Sequence, residues 1–335
     1  MNKKRYAAVF IISAVFIAAL LWINLAFGSA RISVSGLFRI LTGRGDAMDR
    51  NIIWNIRLPR AVSAVWLGGS LALSGYLLQT FFGNPIVGPF VLGISSGAKL
   101  AVALTMIWFL SAGRNLSQAF MVLAAYAGAL ASMGFVLLIS LRIRKMSSLV
   151  VCGIMIGYIC SAITDFVVTF ADDSNIVNLH NWSMGSLSGM NWDQVRAVSV
   201  IAAAGLILAV LMIKPVGAYR LGEAYARSAG VNILLLRVML ILVSSLLAAC
   251  VTAFAGPISF VGIAVPHLAR LALNSNAPRV MIPGCFLGGA AVTLLCDFAA
   301  RMVFAPTEVS ISSVTAVLLV PVVIFMMIKP THRDM

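Results

Sequence analysis

Arg57-Leu-Pro-Arg60 stands directly before an apolar run that carries Gly75 and Gln79 and ends in Asn84-Pro85-Ile-Val-Gly-Pro89. Leu92-Gly-Ile-Ser-Ser-Gly-Ala98 then opens a second apolar run. A helix that only anchors a protein in lipid needs about 20 apolar residues and nothing else. Here two arginines stand at one mouth, a glutamine sits inside, prolines interrupt the chain, and glycine and serine begin the next helix. Irregular backbone at membrane depth is tolerated only where protein or a water-filled cavity satisfies it. The stretch therefore describes a helix pair shaped around a path through a membrane protein.

The rest of the chain agrees with this reading. It has 335 residues, of which 61% are hydrophobic and 10% charged, with a mean hydropathy of +1.03. A soluble fold is excluded, and a polytopic all-α bundle is implied. Apolar runs fall at 6–27, 61–82, 91–110, 119–141, 149–170, 195–213, 234–254, 258–273, 281–304 and 311–328. These are about ten spans in a single transmembrane domain over 1–335, with no room for a separate soluble domain. Lys3-Lys4-Arg5 before the first run looks like the start of a signal peptide, but that run is long enough to be retained as a helix. The run at 258–273 is short and begins at Gly256-Pro257, so it is expected to be tilted, broken or re-entrant. Gly93/Gly97, Gly153/Gly157 and Gly284/Gly288 suit close helix contact.

An even number of spans puts both termini on one side. With the termini cytoplasmic, Arg142, Arg144, Lys145, Lys214, Arg220, Arg227, Arg237, Arg270, Arg279, Lys329 and Arg333 fall inside, as the positive-inside rule requires. The net charge of +14 is partly this topology signal. The basic residues form no patch with interleaved aromatics, so nucleic acid is not an expected partner. Arg31, Arg39, Arg44, Arg50, Arg57 and Arg60 crowd the first outer loop, 28–60, and call for another explanation. That loop also holds an amphipathic piece, Ile32 to Thr42. The two other long connections are a polar outer cap, 171–194, and a cytoplasmic loop, 214–233.

The ordered elements from Arg57 to Ala98 resemble the iron-siderophore, haem and cobalamin uptake permeases of ABC importers, the FecCD/BtuC-like transmembrane subunits of type II importers. Phe254-Ala-Gly256-Pro257-Ile-Ser-Phe-Val-Gly-Ile-Ala-Val-Pro266-His-Leu-Ala-Arg270 carries the same resemblance. The resemblance implies a path lined by Gln79, Asn84, Pro85, Pro89, Gly93, Ser95, Ser96 and Gly97 and by the breaks at Gly256, Pro257 and Pro266. It implies that Arg57, Arg60 and Arg301 dock an extracytoplasmic binding protein, since a guanidinium grips a carboxylate as a planar fork. Interfacial snorkelling would explain Arg301 equally well. The loop residues Arg220, Leu221, Gly222, Glu223, Ala224, Ala226, Arg227 and Gly230 would form a slim knob that couples to an ATPase. A second permease copy or related chain and two ATPase subunits, which would bind the ATP and Mg, complete the implied assembly in the cell's inner membrane. No cofactor or metal is expected in this chain, and enzymatic activity has no support.

The sequence departs from the family in places. Ile86-Val-Gly88 stands where Leu-Ala-Asp is usual, and Glu308-Val-Ser310-Ile-Ser312 where Glu-Leu-Pro-Val-Gly is usual. Leu319 replaces a later glycine, while Thr315 and Pro321 remain. Lys99 departs from an expected small apolar residue and is expected to tune the path or pair with an acid. Gly93-Ile-Ser-Ser-Gly-Ala-Lys99 lacks the spacing of a phosphate-binding loop. His267 reads as a donor within helix packing, and the five cysteines, Cys152, Cys160, Cys250, Cys285 and Cys296, as small packing residues.

The resemblance thus implies an importer permease whose cargo is a ferric siderophore or haem, with cobalamin as the alternative within the family. A proton-coupled secondary transporter using Asp165 and Asp297 is the reading from another class, because ionisable residues in apolar runs mark functional paths.

Overall fold

The computed structural model describes residues 3–28, 34–41, 46–111, 118–140, 142–143, 146–171 and 173–328. Arg31, Arg44, Arg144, Lys145, Asp172, Lys329 and Arg333 lie outside them, as do both ends of the amphipathic piece 32–42. The described chain is built from helices: α1 (Lys3–Ala26), α2 (Val34–Leu41), α3 (Ala47–Asn51), α4 (Leu58–Phe82), α5 (Ile94–Ser111), α6 (Gln118–Ser140), α7 (Met146–Val168), α8 (Asp173–Ser183), α9 (Trp192–Leu211), α10 (Ile213–Tyr219), α11 (Glu223–Ser228), α12 (Ile233–Ala255), α13 (Val261–Leu273), α14 (Pro278–Met302) and α15 (Ile311–Ile328). Among the described residues seven stretches are long and apolar enough to cross a membrane, and three shorter apolar helices lie at 94–109, 261–273 and 311–325. Together they correspond to the ten runs read from hydropathy. Below, inner denotes the side to which the sequence assigns the basic loops.

The long α4 is the axis of the bundle. It packs against α14, α12, α13 and α9, and its residues are buried almost throughout. Glycine makes this possible. A Cβ on Gly75 would stand 1.7 Å from the carbonyl oxygen of Gly262 on α13, and one on Gly68 would stand 2.5 Å from that of Gly289 on α14. In lipid, where helices gain little from apolar burial alone, such close backbone approach supplies the packing attraction. A second group, α5, α6 and α7, packs along the same principle. Gly97 lies against Gly128 and Ser132, and Gly93 against Gly157.

One element differs from its sequence reading. Residues 28–60 are not one loop, because helix begins at Ala47 and runs through a π-helical turn, Ile52–Arg57, straight into α4. Asp46, Asp49, Arg50, Asn51 and Asn55 make this part read as polar connection, but Ile53 is fully buried and packs with Leu25 and Ile40. The connection at 214–233 contains two short helices, α10 and α11, separated by the turn at 220–222.

Candidate functional site

The three arginines expected to face a partner are drawn together at the outer end of α1, α4 and α14, and all point into the fold. Arg57, 5% exposed, donates from Nη1 to the carbonyls of Leu25 at 2.6 Å and Ala26 at 3.1 Å. These belong to the last turn of α1, whose carbonyls have no helical partner and carry the negative end of the helix dipole. Arg60, 8% exposed, holds two carboxylates. Its Nε and Nη2 meet Asp297 at 3.0 and 2.9 Å, and its Nη1 donates to both oxygens of Glu308 at 3.0 Å. Arg301 places Nε 3.3 Å from the other Asp297 oxygen and donates from Nη2 to the Asn24 side-chain oxygen. Asn24 is itself fixed by donating to the Leu20 carbonyl at 2.8 Å.

Asp297 and Glu308 supply the carboxylates to Arg60 and Arg301 in this buried cluster, and Asp49 acts electrostatically on Arg57. Asp297 is 1% exposed, whereas the Glu308 side chain is 45% exposed. One counter-ion is therefore sealed in and the other lies at the surface. Asn24 carried no signal in the sequence, where it is one polar residue in an apolar helix. Asp297, bridging two arginines, stands as a fixed counter-ion, and Asp165 lies on the exposed side of α7, a helix that packs on α5 and α6. This arrangement does not favour a proton relay through the two.

The break at Gly256-Pro257 is covered from the outer side. The main chain of Ser186 donates to the Ala255 carbonyl at 2.8 Å, and the Ser312 hydroxyl donates to that of Pro257. Ser310 in turn donates to the Met184 carbonyl at 2.8 Å. The cap at 171–194 and the start of α15 thus supply the hydrogen bonds that the missing helical turn leaves open. Gly256 and Gly185 meet there with φ of 70° each. A Cβ on Gly256 would lie 2.5 Å from the Trp182 carbonyl, and one on Gly185 would lie 2.5 Å from that of Pro257, so both the conformation and the space require glycine. Ser310 and Ser312 are the residues that depart from the family pattern, and here they are latch groups. Beyond the break α13 is 13 residues long, about 20 Å at 1.5 Å per residue, with Pro266 inside it.

At the inner end, Asn84 and Pro85 follow α4, and His267 Nε2 donates to the Pro85 carbonyl at 2.9 Å. The Asn84 side chain accepts from the Ile86 main chain at 3.0 Å, and Pro89 packs against Gly262. A cavity of about 740 Å³ opens here, lined by Gln79, Asn84, Pro85, Tyr219, Arg220 and Arg270 among others. Gln79 is 4% exposed; its Nε2 donates to the Ile263 carbonyl at 3.2 Å, and its Oε1 has no partner among the described residues. Of the other expected path residues, Gly93 and Gly97 are packing contacts, Ser96 accepts from Ser161 at 3.4 Å, and Ser95 Oγ is buried without a partner among the described residues.

The helices α10 and α11 border this cavity and are tied to the bundle at two points. Arg220 Nη1 donates to the Asn276 carbonyl at 2.5 Å and lies 3.5 Å from the Tyr76 hydroxyl on α4. Glu223 accepts from Arg227 within α11 and from Arg237 on α12, each at 2.7 Å. The hydrogen bond from Arg227, with the added charge of Arg237, holds the Glu223 carboxyl below its usual range. Ala226 is buried as the foot of α11, while Leu221 is 70% and Tyr225 53% exposed. The result is a pair of short helices tied at its base to the bundle, with Leu221 and Tyr225 in the open at its tip. Leu221, Gly222, Ala224 and Gly230 complete it. Tyr76 and Asn276 were not singled out from the sequence, since each is unremarkable in its own segment, and Arg237 was read only as a topology signal.

The profile of the FecCD transport family matches residues 15–329. The vitamin B12 import system permease protein BtuC of Serratia proteamaculans is 36% identical over 279 residues, covering 83% of this chain and 82% of that protein. The hemin transport system permease protein HmuU of Yersinia pestis is 34% identical over 319 residues, 94% of this chain and 95% of that one. Among solved structures, an inward-facing ABC transporter ascribed to the metal-chelate type superposes with a TM-score of 0.83 at 26% identity, covering 97% of this chain and 99% of its own. The ten apolar helices, the paired α10–α11 element and the breaks at Asn84-Pro85 and Gly256-Pro257 thus occur in a chain that is a multi-pass permease of the FecCD transport family.

Proposed function

We propose that this permease forms, with a second copy or a related chain, the channel of an importer for a large metal chelate, a ferric siderophore or haem. Two ATPase chains drive it from the inner side and a binding protein delivers cargo on the outer side. The observation that carries this reading is the α10–α11 element. A pair of short helices anchored through Arg220 and Glu223, with Leu221 and Tyr225 exposed at the tip, suits insertion into a groove of another protein. The anchors touch α4, α12 and the α13–α14 turn, so motion of the knob reaches both helix breaks. The relatives named for hemin and vitamin B12 support a bulky cargo bearing a metal. Cobalamin is therefore the second reading. The ATP and Mg belong to the partner ATPase, and this chain acts by alternating access.

The buried arginines refine the docking proposal. A carboxylate from the binding protein would replace Glu308 on Arg60 and leave Asp297 in place. The paired guanidiniums of Arg60 and Arg301 around Asp297 favour such an anion.

The test is mass spectrometry of proteins that co-purify with a tagged chain from gently solubilised host membranes. Recovery of an ATPase subunit with an extracytoplasmic binding protein is expected, and Leu221→Asp with Tyr225→Asp should lose the ATPase. Titrating the recovered binding protein with hemin, ferric siderophores and cyanocobalamin then names the cargo. Recovery of the permease alone in several detergents would overturn the reading.

A further inference from the structure

Two ionisable residues singled out in the sequence stand outside the features described so far, Lys99 on α5 and Asp165 on α7. The structure places their helices side by side in a defined register. Leu92 lies on Gly153, Gly93 on Gly157, and the Ser161 hydroxyl donates to Ser96 at 3.4 Å. Each step outward along α5 is matched by a step outward along α7, so the two helices run parallel. One further turn brings the ladder to Lys99 on one helix and to Thr164 and Asp165 on the other. Lys99 is half-buried and Asp165 exposed. Neither has an ion-pair partner among the described residues.

The turn beyond them is closed by the cap. Ala103 and Met106 of α5 and Val168 of α7 line a small cavity with Ile176 and Leu179 of α8. The seam between α5 and α7 therefore starts beneath the cap helix with a cation and an anion. It continues inward through Ser161 and Ser96 to Ser95, whose buried hydroxyl has no partner among the described residues. An ammonium facing hydrocarbon costs about 2.5–3.5 kcal/mol at mid-depth, and such groups are retained where they meet water or a partner charge. A run of three serine hydroxyls and two opposite charges along one helix seam is unsuited to lipid.

We infer that the α5–α7 seam beneath the cap is a wall of the aqueous cargo path, and that Lys99 receives an anionic oxygen of the passing cargo. Asp165 at the same level opposes that attraction, which keeps the contact weak enough for release. The inference rests on the permease reading and adds a property of the cargo, acidic oxygen groups of the carboxylate or phosphate kind. The same chemistry is offered by an anionic lipid headgroup, and the experiment separates the two.

Ser161→Cys, Asp165→Cys and Ile163→Cys are made singly in a chain whose five native cysteines are replaced, and intact membranes are treated with membrane-impermeant methanethiosulfonates carrying a sulfonate or a trimethylammonium group. Ile163 lies two residues from both polar positions, about 200° around the helix, and is the control. Cysteine at 161 and 165 is expected to react at least tenfold faster than at 163. At 161 the anionic reagent should be favoured several-fold over the cationic one, and Lys99→Met should abolish the preference while Lys99→Arg keeps it. Slow reaction at all three positions would place the seam against lipid or its headgroups and overturn the inference. Fast reaction without a preference dependent on Lys99 would overturn the role given to that residue. Co-purification of the ATPase with the unsubstituted chain is scored separately, so failure of the seam and failure of the permease reading are told apart.

Discussion

Arg60 holds two carboxylates that differ in what surrounds them, and this difference separates stability from docking. Removing the charge of Asp297 leaves Arg60 and Arg301 short of a counter-ion in a buried site, the situation that costs about 3–5 kcal/mol. Asp297→Asn is therefore expected to lower the thermal midpoint of the purified permease markedly. Glu308 is half-exposed, and a surface ion pair contributes about 0–1 kcal/mol, so Glu308→Gln should leave that midpoint nearly unchanged. If the binding protein's carboxylate takes the place of Glu308, the same substitution tightens docking several-fold. Asp193→Asn removes an equal charge that pairs only with nearby Arg196 and should leave docking unchanged. Surface plasmon resonance on the detergent-solubilised transporter with the recovered binding protein reads both. Weaker docking by Glu308→Gln would sink the exchange. The sequence showed three arginines and two acids, but the contacts join residues 237 and 248 positions apart. Nothing local announces such pairing, so the docking candidates were legible and their burial was not.

At the scale of the element, hydropathy placed the ten apolar helices to within a few residues because lipid imposes one dominant requirement on each. It missed the helix from Ala47 to Arg57, where Arg50, Asn51 and Asn55 are exposed and Ile53 is the one apolar residue that is buried. It also could not choose which glycines carry the tightest contacts. Gly93/Gly97 and Gly153/Gly157 follow a spacing rule, but the closest approach is Gly75 to Gly262, set by how α4 crosses α13. Gly75→Ala is expected to cost about 1–3 kcal/mol from overpacking, more than the roughly 1 kcal/mol that alanine gains over glycine in a helix. Gly134→Ala on α6, with nothing within 4 Å of the new methyl, should be neutral or stabilising by the same thermal assay. The α10–α11 element has a pH signature. Because folding holds the Glu223 carboxyl below its ordinary value, its ion pairs contribute fully above the unfolded-state carboxyl range and are lost only as pH falls through the lowered folded value. ATPase association should thus be flat from about pH 6 to 8, where a free carboxyl near pH 4 is already ionised. Glu223→Gln should weaken it across that whole range, as read by pull-down of the recovered ATPase.

For the whole molecule, the two helix breaks lie at opposite ends of one mechanical chain. Arg220 connects the inner knob to Tyr76 on α4, α4 rests on the start of α13 through Gly75 and Gly262, and α13 begins at the break that the cap and Ser312 close. An element that two partners can bias is what coupling requires, and here the continuous contacts run from the inner knob to the outer cap. Cutting the chain at its outer end is the sharpest test, since the hydroxyls of Ser310 and Ser312 hold the cap and the break without belonging to either. Ser310→Ala with Ser312→Ala removes the two hydrogen bonds that reach the cap and the break, about 0.5–1.5 kcal/mol each, together with the local bonds of Ser313 to Ser310, and should raise hydrogen exchange in residues 183–190 and 255–260 by roughly tenfold while α4 and α14 stay protected. The assembled complex should then hydrolyse ATP with less stimulation by the binding protein. Unchanged exchange at 255–260 would show that the cap does not secure the break, and the link between the outer face and the knob would have to run through α14 and Arg60 instead.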